Sequence, residues 1–104
     1  MTLQIFEANL KEACPDTFEV AAPKGKPRFV VWHQYGRHSL IGDDKNQADA
    51  VKVQIDIVTN VSSDPLVDDV CAALWLMDIP YDVVSEGYDD EYAAFRTILQ
   101  LVVI

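Results

Sequence analysis

The amino-acid sequence predicts an α+β fold: an antiparallel sheet of four to five strands with two helices packed on one face. Three observations lead there. Apolar residues recur at helical spacing in two separate stretches, Leu3, Phe6, Leu10 and Leu66, Val70, Ala73, Leu74, Met77. Between them, Val51, Val53, Ile55 and Ile57 alternate with Lys52, Gln54 and Asp56, the period-two signature of a strand with one wet and one buried face. The elements run in the order α-β-β-(β)-β-α-β-β, and short connections between strands favour hairpins with the helices gathered on one side. With 104 residues, 50% of them hydrophobic, the chain reads as one domain spanning 1–104.

Thr2 is placed to cap the first helix, and Pro15 followed by Asp16 ends it, because proline cannot continue a helix. A short strand is expected at Phe18–Ala21, then a breaker-rich turn from Pro23 to Pro27. Arg28–Tyr35 is rich in β-branched and aromatic residues and reads as a strand that is apolar on both faces. Phe29, Val31 and Tyr35 point one way, Val30 and Trp32 the other. Gly36 and Arg37 suggest a bend, with a further short strand at His38–Ile41 and a polar loop over Gly42–Asp49. After the alternating strand, Ser62, Ser63, Asp64 and Pro65 announce the second helix, a cap followed by proline at the first position. Asp68 and Asp69 suit the positive end of its dipole, and Pro80 closes it. Tyr81–Ser85 reads as a strand, Glu86–Glu91 as an acidic turn, and Tyr92–Ile104 as a long final strand. In that strand Phe95, Leu99, Leu101 and Val103 line one face while Ile98, Val102 and Ile104 dot the other. Two strands apolar on both faces, with helices enough for one face only, leave apolar surface that must meet a folded-over hairpin or a second subunit.

Charge is distributed unevenly. Up to Lys52 seven bases balance seven acids, whereas beyond it ten acids face a single base, Arg96. The net charge of −9 therefore resides in the second half, which repels nucleic acid, since phosphate affinity comes from lysine and arginine. Asp68, Asp69, Asp89, Asp90 and Glu91 form the candidate acidic surface, either a solvated face or a wall that DNA slides past. No apolar run approaches the roughly 20 residues that span a bilayer, and no basic-then-apolar leader is visible, so no membrane partner is expected and synthesis is placed in the cytosol. Cys14 and Cys71 match no metal or redox spacing and read as buried free thiols within the two helices.

The search for chemistry finds little. His33 and His38 flank Gly36, with Asp43 and Asp44 close behind, but the spacing fits no standard zinc or calcium pattern. The carboxylate pairs Asp68–Asp69 and Asp89–Asp90 are adjacent in sequence and do not face each other as an acid–base couple requires. Neither a nucleophile elbow nor a phosphate loop is present. The expectation is a protein without catalytic, cofactor or metal residues. Tyr88, Tyr92 and above all Trp32, Tyr35 and Trp75 are its candidate interface aromatics.

An N-terminal amphipathic helix, "KPRFVVWHQYG", a polar loop, "VKVQIDIVTN", a capped helix from Asp64 and a closing "EYAAFRTILQLVVI" occur in this order over nearly the whole chain. In that arrangement the sequence resembles the small tail-terminator or tail-completion proteins of long-tailed bacteriophages and prophages. The most telling pieces, "VQIDIVT" and "FRTI", are not catalytic signatures. The resemblance implies an α+β sheet with helices on one side and a homo-oligomeric ring, commonly of six subunits. That ring caps the tail tube, stops its polymerisation and offers a docking face to the head connector. It implies the virion tail as location, with the host cytoplasm during assembly, and the tube and head–tail connector proteins as partners. The family makes its contacts through loops and sheet edges, which makes Gly42, Asp43, Asp44, Lys45, Asn46, Gln47 and Asp49 the candidate partner-facing loop. The competing readings are a head-closure or neck protein of the same virion and a small acidic inhibitor that mimics DNA.

Overall fold

The computed structural model describes residues 1–39 and 49–104. Its elements are α1 (Leu3–Ala13), β1 (Thr17–Glu19), β2 (Phe29–Ser39), β3 (Asp49–Thr59), α2 (Leu66–Leu76), β4 (Tyr81–Asp89) and β5 (Ala94–Val103). The strands form one five-stranded sheet in the order β1-β2-β3-β5-β4. The fold is the α+β arrangement that the sequence predicts, with one change. β2, β3, β5 and β4 are antiparallel neighbours, but β1 runs parallel to β2, so the sheet is mixed. The chain does not turn back tightly after Glu19. It leaves the sheet at Val20, which adopts a positive φ of 72°, and returns through residues 21–28 before entering β2 in the same direction.

α1 starts where Thr2 Oγ1 accepts a hydrogen bond from the Ile5 amide at 3.2 Å. Phe6 and Leu10 are fully buried, one helical turn apart. Cys14 lies at the helix cap and not inside the helix, and burial pushes its thiol pKa up. At the start of α2, Asp64 Oδ1 accepts from the Leu66 amide at 2.8 Å while the Arg28 guanidinium grips both carboxylate oxygens at 2.8 Å. This bidentate pair ties the entry of β2 to the first turn of α2. The other end of α2 closes without Pro80. Asp78 takes a left-handed φ of 62°, its amide donates to the Trp75 carbonyl, and the Ile79 amide donates to the Leu74 carbonyl at 3.0 Å. That is a Schellman closure, with aspartate in the place glycine usually takes.

Both helices pack on one face of the sheet. Phe6 and Leu10 from α1 and Leu66, Val70 and Leu74 from α2 meet Val30 and Trp32 of β2, Val53, Ile55 and Ile57 of β3, and Leu99, Leu101 and Val103 of β5. The Phe6 and Trp32 rings meet edge to face at 5.7 Å, and Trp32 Nε1 donates to Glu7 Oε2 at 2.8 Å. Trp32, expected at an interface, is therefore a core residue. Period two put it beside Val30 on the inner face, and a glutamate on α1 satisfies its only polar atom.

Three boundaries differ from expectation. β2 does not bend at Gly36. It runs on to Ser39 across a bulge between Gln34 and Gly36, so no separate strand begins at His38. Asp49 opens β3, leaving Gly42 to Gln47 of the predicted loop outside the described residues. β4 extends through Glu86 to Asp89, which the sequence placed in a turn, with a second bulge between Val83 and Ser85. An edge strand exposed on both faces offers no burial period to read.

Ile55 lies at the centre of the core and Trp75 is 82% exposed on α2. Ile55→Ala is expected to lower unfolding stability by about 2–5 kcal/mol, and Trp75→Ala by no more than about 0.5 kcal/mol, in urea titrations of dilute protein.

Candidate functional site

The face of the sheet opposite the helices holds the groups that remain to be explained. The registers align rows across it: Phe29, Val58, Arg96 and Gly87; then Val31, Asp56, Ile98 and Ser85; then His33, Gln54, Gln100 and Asp82. Its middle is polar and interlocked. Arg96 donates from Nη2 to Asp56 and from Nη1 to Asp89 Oδ2 at 3.1 Å, and its guanidinium lies 5.1 Å from the Tyr92 ring centre. Gln54 Nε2 donates to Asp56 Oδ1 at 2.9 Å, and Gln100 Nε2 donates to Gln54 Oε1 at 3.3 Å. Arg96 and Asp56 sit on adjacent strands one row apart, the diagonal distance that long side chains bridge. The hydrogen bond from Arg96 holds the Asp89 carboxyl below its ordinary range. Arg96 Nε is buried and has no hydrogen-bond partner among the described residues.

Apolar side chains flank this strip. Phe29, Val31 and Ile98 are half-buried, Val102 is exposed, and Val58 is covered. The cover over Val58 comes from the return loop: residues 22–27, Phe29 and Tyr92–Ala94 enclose a hollow of about 390 Å³ around it. The rest of this face carries neither helix nor strand among the described residues.

β4 is the second uncovered feature. Its inner neighbour is β5, and no strand pairs with its outer edge among the described residues. Every residue from Tyr81 to Tyr88 is exposed, including Val83, Val84 and both tyrosines. The Cys71 thiol of α2, near Tyr81, pushes the Tyr81 phenol pKa up. Trp75 lies one turn beyond Cys71 on the same side of that helix.

The predicted site residues thus fall into separate groups. Asp68 and Asp69 are exposed in the first turn of α2, as the dipole argument requires. Asp90 and Glu91 are exposed in the β4–β5 turn, whereas Asp89 is engaged by Arg96. Tyr35 is exposed at the β2 bulge, whereas Trp75 is exposed on α2. Sequence reasoning missed the role of Arg96 and the exposed valines of β4. The signal for Arg96 was its isolation, a lone base among ten acids on a strand whose inner face was already assigned. Among the described residues no cluster of three His, Cys, Asp or Glu side chains is placed to hold a metal. Among those residues no helix is long and apolar enough to cross a membrane.

No family model matches the chain, and no curated protein matches it in sequence.

Arg96→Met leaves Asp56 and Asp89 without their cation on a half-buried face. Its expected cost is about 1–3 kcal/mol, read from denaturant melts, with partial recovery when Asp56→Asn is added. The Asp64 carboxyl is lowered chiefly by its hydrogen bond from Arg28, and Asp89 likewise by Arg96. A carboxyl lowered in the folded state contributes stability above its unfolded value. That contribution fades as pH falls from about the ordinary 3.8 through the lower folded values. Acid titration of Asp64→Asn should show a flatter stability loss below that pH than the wild type.

Proposed function

We propose that this protein is a structural assembly protein of a long-tailed phage or prophage, one that caps the tail tube as a ring. In that role it stops tube polymerisation and presents a docking face to the head connector, acting in the virion tail and, during assembly, in the host cytoplasm. It carries out no catalysis. One observation carries the reading: two helices cover one sheet face, leaving the other face, apart from the loop over Val58, and a nine-residue edge strand without a helix or strand over them among the described residues. Such surface is the raw material of an assembly contact.

Two features add support. The order α-β-β-β-α-β-β and the one-sided helical layer accord with the resemblance carried by "VQIDIVT" and "FRTI". The acidic second half would keep DNA moving through a ring without sticking. The stretch 81–91, with five acids and no base, favours one second reading, a DNA-mimic inhibitor that acts as a monomer. A head-closure role in the same virion shares the ring and differs only in the partner.

Co-expression with the tail-tube protein of a long-tailed phage separates these readings. Tubes of uniform, limited length with the protein at one end are expected, and overlong tubes when it is omitted. Overlong tubes in both cases would sink the proposal. Binding to a nuclease or repressor that moderate salt abolishes would support the mimic instead.

A further inference from the structure

β4 and α2 form the two sides of an open groove. Residues paired across antiparallel strands point to the same face. Tyr81, Val83, Glu86 and Tyr88 therefore share the helical side with their β5 partners Leu101, Leu99, Thr97 and Phe95. The Tyr88 and Phe95 rings meet edge to face there, 5.4 Å between centres. α2 runs antiparallel to β4 along this side. Val67 and Asp68, in its first turn, border a hollow of about 450 Å³ with Glu86, Gly87 and Thr97, while Cys71 lies near Tyr81. Val67, Cys71 and Trp75 follow at i, i+4 and i+8, so an apolar stripe of the helix borders the groove. On the strand side Tyr81, Val83 and Tyr88 are exposed and apolar as well.

The charges around this groove have one sign. Asp68 and Glu86 stand on the helical side, Asp82 shares the opposite face with Gln100, and 81–91 holds five acids and no base. Asp89 is taken up by Arg96, whereas Asp68, Asp82 and Glu86 have no ion-pair partner among the described residues. The outer edge of β4 has no strand partner among those residues either, which leaves its backbone N–H and C=O groups to bind a further strand.

We propose that the β4 edge takes up an extended segment of another protein by strand addition, a segment that alternates apolar residues with lysine or arginine. Main-chain hydrogen bonds hold such a strand, and its alternate side chains select it. One set of side chains enters the groove against Tyr81, Val83 and Trp75, and a base at the hollow reaches Glu86 and Asp68. The other set meets Asp82 on the opposite face. A second copy of this chain lacks that chemistry. Its own open edge, residues 33–39 of β2, has Arg37 as its only lysine or arginine, and two β4 edges would set acid against acid. The groove is complete within one molecule, and its use does not rest on ring formation.

Labelled peptides of nine residues, the length of β4, test this by fluorescence anisotropy at physiological ionic strength. A peptide alternating lysine with valine should bind at least about tenfold more tightly than one alternating glutamate with valine. Methylation of its backbone amide nitrogens should abolish binding, and the unmethylated peptide should slow hydrogen exchange at residues 83–88. Asp82→Lys/Glu86→Lys should weaken binding about tenfold and Trp75→Ala about threefold. All three side chains are exposed, so these variants keep the fold. Equal binding of the methylated peptide, or unchanged affinity in the charge-reversed variant, overturns the proposal. So does failure of the wild type to bind the lysine–valine peptide at about 1 mM. A dimer that protects residues 83–88 and excludes the peptide gives the edge to a second copy and overturns it too. The tube-length experiment decides the ring separately from any of these results.

Discussion

Two helices of 11 residues must cover a sheet whose longest strands also have 11. At about 1.5 Å per helical residue and about 3.3 Å per strand residue, the helices reach roughly 16 Å along strands of roughly 36 Å. That mismatch governs the molecule. The dry core forms where the helices lie, over the rows of Val53, Ile55 and Ile57, and thins towards Tyr35 at one end and Tyr88 at the other. The molecule is correspondingly long, 49 Å against 25 and 22 Å in cross-section. The opposite face receives only what the loops can spare, the return loop and Tyr92 over Val58.

The far face answers this shortage with polarity in its middle. Arg96 spans Asp56 and Asp89, and Gln54 and Gln100 extend the chain of hydrogen bonds across two strands. A half-buried network of this kind strengthens its members electrostatically and fixes their positions, but it removes the centre of the face as a greasy contact. The surplus of apolar strand surface read from the sequence is real at Val31, Ile98 and Val102. Those residues stand around the network and do not merge into one patch. The exposed valines outside this face lie on β4, where Val83 and Val84 stand on a strand whose outer edge has no strand partner among the described residues.

The legible parts of the sequence were those whose burial is one-sided. α1, β3 and α2 each show one buried stripe, and Phe6, Ile55 and Leu74 all lie where their spacing puts them. Elements that lack such a stripe were misjudged. β4 is wet on both faces, so its second half resembled a turn, and β1 is three residues long and parallel, beyond the reach of any period. Gly36 marked a bulge and not a bend, two uses of glycine that look alike without the partner strand. Trp32 shows the reverse case: its alternation with Val31 already pointed inward, and only its size suggested an interface. The candidate surface was visible as charge imbalance but not as geometry, because nothing in the sequence shows that the 22–27 loop folds back beside Tyr92–Ala94.

Edge-to-edge repetition of a sheet carries a geometric consequence. Neighbouring strands rotate by about 20–25°, so five strands per copy would wind a strictly continuous sheet into a screw along its own width. A closed ring needs the edges to turn out of that screw. β2 and β4 each carry a bulge, at Gln34–Gly36 and at Val83–Ser85. A bulge inserts one residue, bends its strand and sharpens the local twist, so each re-aims the half-strand beyond it. The β4 bulge lies beside Leu99 and Ile55 in the middle of the core rows, and the β2 bulge lies beside Val53. Each absorbs one extra residue, so the strand on either side of it keeps the inward and outward alternation that the core demands.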